Sequence, residues 1–454
     1  MYPSSPATGA IAHENHPDGD VLDLVGIGIG PFNLGLAALA NPLIERGELT
    51  AAFVDSRSEF CWHPGVMFSD ATIQVPFMAD LVTMADPTSR FSFLNYLKTH
   101  QRIYPFYIRE SFYPYRKEYS DYCSWVAAEL DFLHWSSPVT RVRRSPHGHW
   151  EINIEGPSPR TLKARAVVNG TGTEPVIPDS LSNAAYESSE GILHSSQFLD
   201  HKDHIMAQDS VTIVGSGQSA AEIYRYLIED FTAAGKRLDW FTRSPRFFPM
   251  EYTALTLELT SPDYARFFHS LPESRRDELN RAQRNLYKGI SGDLIDDIYD
   301  TLYRLSITTP LRGALRSNVT VGLADSGTLS TDGSTGQHTL ALRHNETGAE
   351  GFHATDVVIL ATGYGRPTIP SHLASIEEIN LDASGRMDVA PDFTVNDAQD
   401  LYVLNAEEHT HSLNAPDLGM GAWRNSIILN HICRRDIYQV EQSTVFQTFG
   451  GEGL

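Results

Sequence analysis

Three short apolar runs, Val21–Val25, Val211–Val214 and Val357–Leu360, each lead into glycine and punctuate the chain. After the first, Asn33 to Ala40 carries apolar residues at helical spacing, and Ala51–Asp55 reads as a second strand. Strand, turn, helix and strand in that order make a βαβ unit. The second run repeats the order: VTIVGSGQSAAEIYRYLIED passes from strand to helix, and Leu238–Thr242 supplies the next strand. Between Pro249 and Leu305 the pattern turns helical and charged, without strand alternation, which predicts a small helical lobe. Ser326–Glu350, rich in Gly, Ser and Thr around His338–Leu342, reads as a solvent-edge hairpin.

Composition changes this picture little but narrows the partners. A chain of 454 residues with 41% hydrophobic residues can bury an extensive core, split over two or three lobes. Its formal charge of -22 disfavours nucleic acid and anionic membrane surfaces, and mildly favours a cationic small molecule. Cys61, Cys123 and Cys433 lie far apart and form neither a redox pair nor a metal spacing, which fits a cytoplasmic setting. HTH at 409–411 lacks the acids or cysteines that would complete a metal set, so no metal is expected. Residues 1–20 read as a flexible tail without signal-peptide features, and no membrane span is expected.

The glycine turns carry the chemistry. In GIGIGPFN, Gly28 and Gly30 follow a buried strand and open a helix, where backbone N–H groups can meet a pyrophosphate. Asn33 stands where the third glycine of the fingerprint is usual, and Asp55, 25 residues after Gly30, ends the second strand where an acid can accept ribose hydroxyls. The second turn, Gly215-Ser216-Gly217-Gln218-Ser219-Ala220, is followed by a strand ending in Thr242-Arg243 rather than an acid. A cation there suits a 2′-phosphate and favours NADPH over NADH; the alternative reading of Arg243 is an exposed helix-capping or surface charge. Two such units in one chain call for a flavin and a nicotinamide. The expected fold is therefore α/β with two Rossmann-like dinucleotide-binding domains. FAD is assigned to 21–190 and 345–446, NADPH to 191–250 and 306–344, and a helical substrate lobe to 251–305.

The string Asp356 to Tyr364 (DVVILATGY), the GIGIGPFNL start, CWHPGVMF, IQVPF and FSFLNYL closely resemble the N-hydroxylating flavin monooxygenases of siderophore biosynthesis, the lysine and ornithine N-hydroxylase family. The likeness extends through Asn405–His411 to Ala422-Trp423-Arg424. It implies an NADPH-dependent monooxygenase acting with O2 through a C4a-hydroperoxyflavin, and a homo-oligomer, dimer or tetramer. It places Gly28, Gly30, Pro31, Asn33, Asp55, Trp62, His63, Thr362, Gly363 and Leu418 at FAD, with Gln74 beside the reacting flavin as the catalytic residue. Gly215, Gly217, Gln218, Ser219, Ala220, Arg243, Tyr287 and Lys288 are implied at NADPH, and Ala79, Leu257 and Asn405 in the substrate pocket.

Amino-acid-using members resemble one another in a lysine within a string like FLKDLV and an asparagine in NExFxP. Here those strings read FMADLV and LELTSP, with Ala79 and Leu257 at the two positions. A carboxylate buried there would lose a charge-assisted partner, at about 2 to 5 kcal/mol. A diamine is expected instead, cadaverine first and putrescine second, in a desferrioxamine- or alcaligin-type pathway. An L-lysine N6-monooxygenase remains the alternative if another cation, such as Lys288, has taken over.

Overall fold

The computed structural model describes residues 21–182, 191–324, 330–365 and 367–451; the tail expected over 1–20 lies outside them. The first unit opens with β1 (Leu22–Ile27), α1 (Pro31–Glu45) and β2 (Ala51–Val54), then runs through α2 (Arg116–Ala128) to β3 (Leu133–His134). A meander of β4 (Val139–Arg144), β5 (Trp150–Ile154) and β6 (Arg160–Asn169) follows. The sheet order is β3-β2-β1-β6-β5-β4. β1 lies parallel to both neighbours, with Val25 opposite Ala52 and Val167. Since α1 carries the chain to one side of β1 and β6 lies on the other, a crevice opens at the carboxyl end of β1, the switch point where dinucleotides bind in such sheets.

Pro31 takes the first helical position of α1, where its missing N–H would be unpaired anyway. The helix is apolar on nearly every side because it is sandwiched: Leu34, Leu36, Leu39 and Leu43 are at most 1% exposed. Each such leucine contributes about 1.5–3 kcal/mol relative to exposure.

The second unit consists of β7 (Ile192–His194), β8 (Ser210–Val214), α3 (Gln218–Ala233) and β9 (Arg237–Phe241). Then come α4 (Pro262–His269), α5 (Glu273–Tyr287), α6 (Gly292–Thr308) and β10 (Leu315–Arg316). An antiparallel sheet of β11 (Val319–Leu323), β12 (His338–His344) and β13 (Glu350–Thr355) precedes β14 (Val357–Leu360). The parallel sheet has the order β10-β9-β8-β14-β7. The chain ends with β15 (Leu401–Val403), which returns to β6, then α7 (Glu408–His411) and α8 (Gly421–Cys433), the latter packed on α1.

Two expected boundaries move. The chain does not return to the first unit at 345: β13 pairs with β12, and the four buried residues of β14 pair with β8 and β7, so the return falls after Leu360. Nor is 251–305 one lobe. Leu294, Ile295, Ile298, Leu302 and Leu305 of α6 pack into the cluster holding Ile223 and Leu227 of α3, which makes α6 a helix of the second unit. The lobe proper is smaller, with Tyr264 and Phe268 of α4 packed against Leu413 beyond α7. The hairpin expected over 326–350 is the middle of the antiparallel sheet, and residues 326–329 of it lie outside the described residues.

Candidate active site

The turn after β1 has the shape a phosphate cradle needs. Gly28 takes a left-handed φ of 84°, and a β-carbon there would lie 2.6 Å from the Gly170 carbonyl oxygen. Any side chain is therefore excluded twice, by backbone and by space. At Gly30 a β-carbon would meet nothing within 4 Å, and the first N–H groups of α1 have no capping side chain. Asn33, fully buried, donates to the carbonyl oxygens of Ile27 (3.1 Å) and Gly28 (2.8 Å). It also reaches the Val168 carbonyl at 3.4 Å, so the residue at the third fingerprint position clamps helix, turn and β6 together.

Asp55 is placed at the end of β2 as expected, but its oxygens are occupied. It accepts from the Ile29 N–H at 2.6 Å, the Arg57 N–H at 2.8 Å and the Arg57 guanidinium at 2.8 and 3.0 Å. Burial opposes its ionisation, yet Arg57 and the two N–H groups outweigh that and hold the carboxyl below the usual carboxylate range. Those four contacts fill the lone-pair directions of a carboxylate. A ribose hydroxyl would have to displace Arg57, which is itself 39% exposed and also donates to the Ile29 carbonyl.

Beyond the turn, Trp62 lies 5.2 Å ring to ring from both His63 and Tyr119, and His63 adopts a left-handed φ of 48°. Half-buried Gln74 sits on a segment laid along residues 112–116 by Ile73 N–H to Pro114 (3.0 Å) and Phe77 N–H to Phe112 (2.8 Å). Ala79 is 7% exposed, and its carbonyl accepts from the Tyr119 hydroxyl at 3.3 Å. Pro31, Phe32, Asp80, Leu81, Tyr119 and Leu418 line one small gap, which brings Pro31 and Leu418 together next to the residue that follows Ala79. A β-carbon on Gly419 would lie 3.6 Å from that of Ala79 and 3.0 Å from an oxygen of Asp417, a half-buried carboxyl whose pKa is raised by desolvation.

Thr362 and Gly363 form the junction between units. The Thr362 hydroxyl donates to Val176, the Gly363 carbonyl accepts from Val176 N–H at 3.0 Å, and His194 lies 3.2 Å from the same carbonyl. Asn405 follows β15 in a left-handed conformation, φ 57°, of the kind strained sites keep.

In the second unit, a β-carbon on Gly215 would lie 2.2 Å from the Ala361 carbonyl oxygen, and Ala220 is fully buried where the fingerprint wants a small residue. Ser219 is half-buried beside it at the start of α3, which follows directly from Gly217. Gln218 spends its amide internally, donating to Glu222 at 3.0 Å and accepting from Ser291 N–H at 2.8 Å. Arg243 is exposed just past β9. Tyr287 donates to Glu408 at 2.5 Å and Lys288 to the same carboxylate at 2.9 and 3.0 Å, so both are engaged by α7.

Leu257 departs from expectation. It lies on a short surface helix and is 45% exposed, whereas Ala79 is buried, because the small lobe leaves one side of that helix to solvent. The desolvation argument against a carboxylate therefore rests on Ala79. Sequence reasoning missed two buried ion pairs. Arg424, 1% exposed, is paired with Glu407, donates to Ala415 at 2.6 Å and stacks over Phe32 at 4.3 Å, with its Nε and Nη2 buried and unpartnered. The arginine in the apolar run GAWRNSII was the available signal. Arg116 pairs with Glu222 across the two units. Among the described residues no helix is long and apolar enough to cross a membrane, and no cluster of three His, Cys, Asp or Glu could hold a metal.

Comparison with known proteins agrees with this geometry. A family model for L-lysine 6-monooxygenase/L-ornithine 5-monooxygenase matches residues 20–366. The chain is 41% identical over 437 residues to a putrescine N-hydroxylase of Shewanella oneidensis, spanning 95% of this chain and 85% of that one. It is 30% identical to an L-lysine N6-monooxygenase of Escherichia coli, over 92% of this chain and 96% of that one. The fold matches the FAD-bound cadaverine monooxygenase of desferrioxamine biosynthesis from Erwinia amylovora with a TM-score of 0.89 and 39% identity, covering 95% and 99% of the two chains. With two glycine turns of the dinucleotide-binding type and a match along most of its length, the chain belongs to the L-lysine 6-monooxygenase/L-ornithine 5-monooxygenase family of flavin-dependent enzymes.

Proposed function

We propose that this enzyme uses FAD and NADPH to N-hydroxylate one primary amine of a short diamine, cadaverine in preference to putrescine, early in the assembly of a hydroxamate siderophore of the desferrioxamine type. The observation that carries the substrate class is the buried Ala79 with Asp417 near it: the side chain at 79 offers no cation, and a substrate carboxylate there would face the Asp417 carboxyl. The relatives named as putrescine and cadaverine enzymes support the same class.

The residues present fit both cofactors. The Gly28–Gly30 turn and the uncapped start of α1 would hold the pyrophosphate of FAD, with Trp62, His63 and Gln74 toward its ring, Thr362, Gly363 and Leu418 around it, and Asn405 toward the substrate. The Gly215–Gln218 turn would hold NADPH, with Arg243 at the 2′-phosphate and Tyr287–Lys288 forming one wall. Bound there, the two groups supply the electrons and activate O2. The chain's own part is to bind the amine in its neutral form: a free alkylammonium has a pKa of about 10.4, and removal from water favours loss of its proton.

The deciding experiment measures hydroxylamine formation with cadaverine, putrescine, lysine and ornithine side by side. One methylene is worth about 1–3 kcal/mol in an apolar pocket, so the two diamines should differ by roughly 5- to 150-fold. Turnover favouring lysine or ornithine overturns the substrate reading. The proposal includes a homo-oligomer, dimer or tetramer; Tyr104, Tyr107, Ile108 and Phe112, 67–77% exposed, are apolar surface such an assembly would bury.

A further inference from the structure

One ion pair joins the two units through buried side chains. Arg116, the first residue of α2, places Nη2 2.7 Å and Nη1 3.0 Å from the two carboxylate oxygens of Glu222 on α3. Both residues are 8% exposed. The same Nη1 donates to the Val66 carbonyl at 2.7 Å, three residues past His63. On the other side, Glu222 accepts from Gln218 at 3.0 Å, and Gln218 accepts from Ser291 N–H at 2.8 Å. A continuous chain of hydrogen bonds thus runs from the loop carrying Trp62 and His63 to the glycine turn that opens α3. Backbone packing presses the loop the same way: Leu199 N–H donates to Gly65 at 3.0 Å, and a β-carbon on Gly65 would lie 1.7 Å from the Ser196 carbonyl oxygen.

A buried pair of this kind is weak evidence for added stability, because desolvating both ions offsets their attraction; its best-attested use is to fix register. A bidentate arginine–carboxylate contact sets both separation and angle. We infer that Arg116 and Glu222 are positioning residues that fix the second unit's dinucleotide turn against the first unit's ring-side loop, and so set the approach of nicotinamide to flavin. This rests on the cofactor placement proposed above. Hydride transfer is steep in geometry, since a displacement of about 1 Å can cost on the order of 100-fold in rate.

The test compares Glu222→Gln and Arg116→Lys with wild type. Arg116→Lys keeps the charges and loses the bidentate geometry, so it covers the case in which Glu222→Gln, with its orphaned buried cation, fails to fold. Two quantities are read: the rate of anaerobic flavin reduction against NADPH affinity, and hydrogen exchange of peptides over 62–71 and 215–222 in the enzyme without NADPH. We expect Arg116→Lys to slow reduction by about tenfold or more while NADPH affinity changes by less than about threefold. Exchange over 62–71 should rise in the same variant. Reduction at the wild-type rate, unchanged exchange, or a rate loss that only follows lost NADPH affinity overturns the inference. Wild-type enzyme whose flavin is not reduced by NADPH overturns the cofactor reading itself, which is a separate result.

Discussion

Lys288 donates to both oxygens of Glu408, at 2.9 and 3.0 Å. The cation that sequence reasoning kept as a replacement anchor for a substrate carboxylate is thus already paired with an acid of α7. Neutralising Lys288 by Lys288→Met should leave the ranking of diamines over amino acids unchanged. A collapse of selectivity toward diamines in that variant would show that Lys288 reads the substrate after all.

Ala79 should be where charge matters. Ala79→Lys puts an ammonium into a site 7% exposed, where it repels the substrate's second ammonium. Cadaverine kcat/KM should fall by about 100-fold, the scale of a like-charge juxtaposition worth several kcal/mol. Steady-state hydroxylamine assays check it, and retained cadaverine turnover would place the distal amine elsewhere.

Asp55 should govern flavin retention and its acid limit. Its folded carboxyl titrates below the unfolded value of about 3.9, so its stabilisation is fully present above that pH and fades as pH falls through the lower folded value. Asp55→Asn removes this dependence and loosens the Ile29 turn. FAD affinity, followed by flavin fluorescence, should weaken by roughly tenfold or more, the cost of one lost charged hydrogen bond of about 1.5–3 kcal/mol. Unchanged FAD affinity would remove Asp55 from the cradle.

Arg243 should select the coenzyme. Its exposed position just past β9 leaves it able to meet a 2′-phosphate, so Arg243→Ala should raise the KM for NADPH by about tenfold or more and barely move that for NADH. Equal effects on both coenzymes would return it to the status of a surface charge.

The exposed aromatic stretch should report assembly. Tyr107→Glu, at a side chain 77% exposed, should lower the molar mass seen by light scattering without changing flavin content. An unchanged mass would locate the subunit contact on another surface.

Much of this architecture was legible because its signals are local. The runs at 21–25, 211–214 and 357–360 are strands, and the glycines after the first two open helices at Pro31 and Gln218, as their patterns predict. What escaped is set by distance along the chain. Nothing near Val357–Leu360 says that its neighbours are β8 and β7, so the boundary at 345 came out wrong. The stripe of Leu294, Ile298, Leu302 and Leu305 announces a packed face but not that its partner is α3. Arg116 and Glu222 are 106 residues apart, and Leu257 reads as apolar whether or not it is covered.

Asn33 carries a lesson for anyone redesigning the nucleotide turn. Restoring the consensus glycine there would improve the match to the fingerprint, yet it would strip the carbonyls of Ile27 and Gly28 of their shared amide donor at the bend proposed to hold the phosphate. In this chain the deviation from the motif is the adaptation, and repairing it would be a lesion.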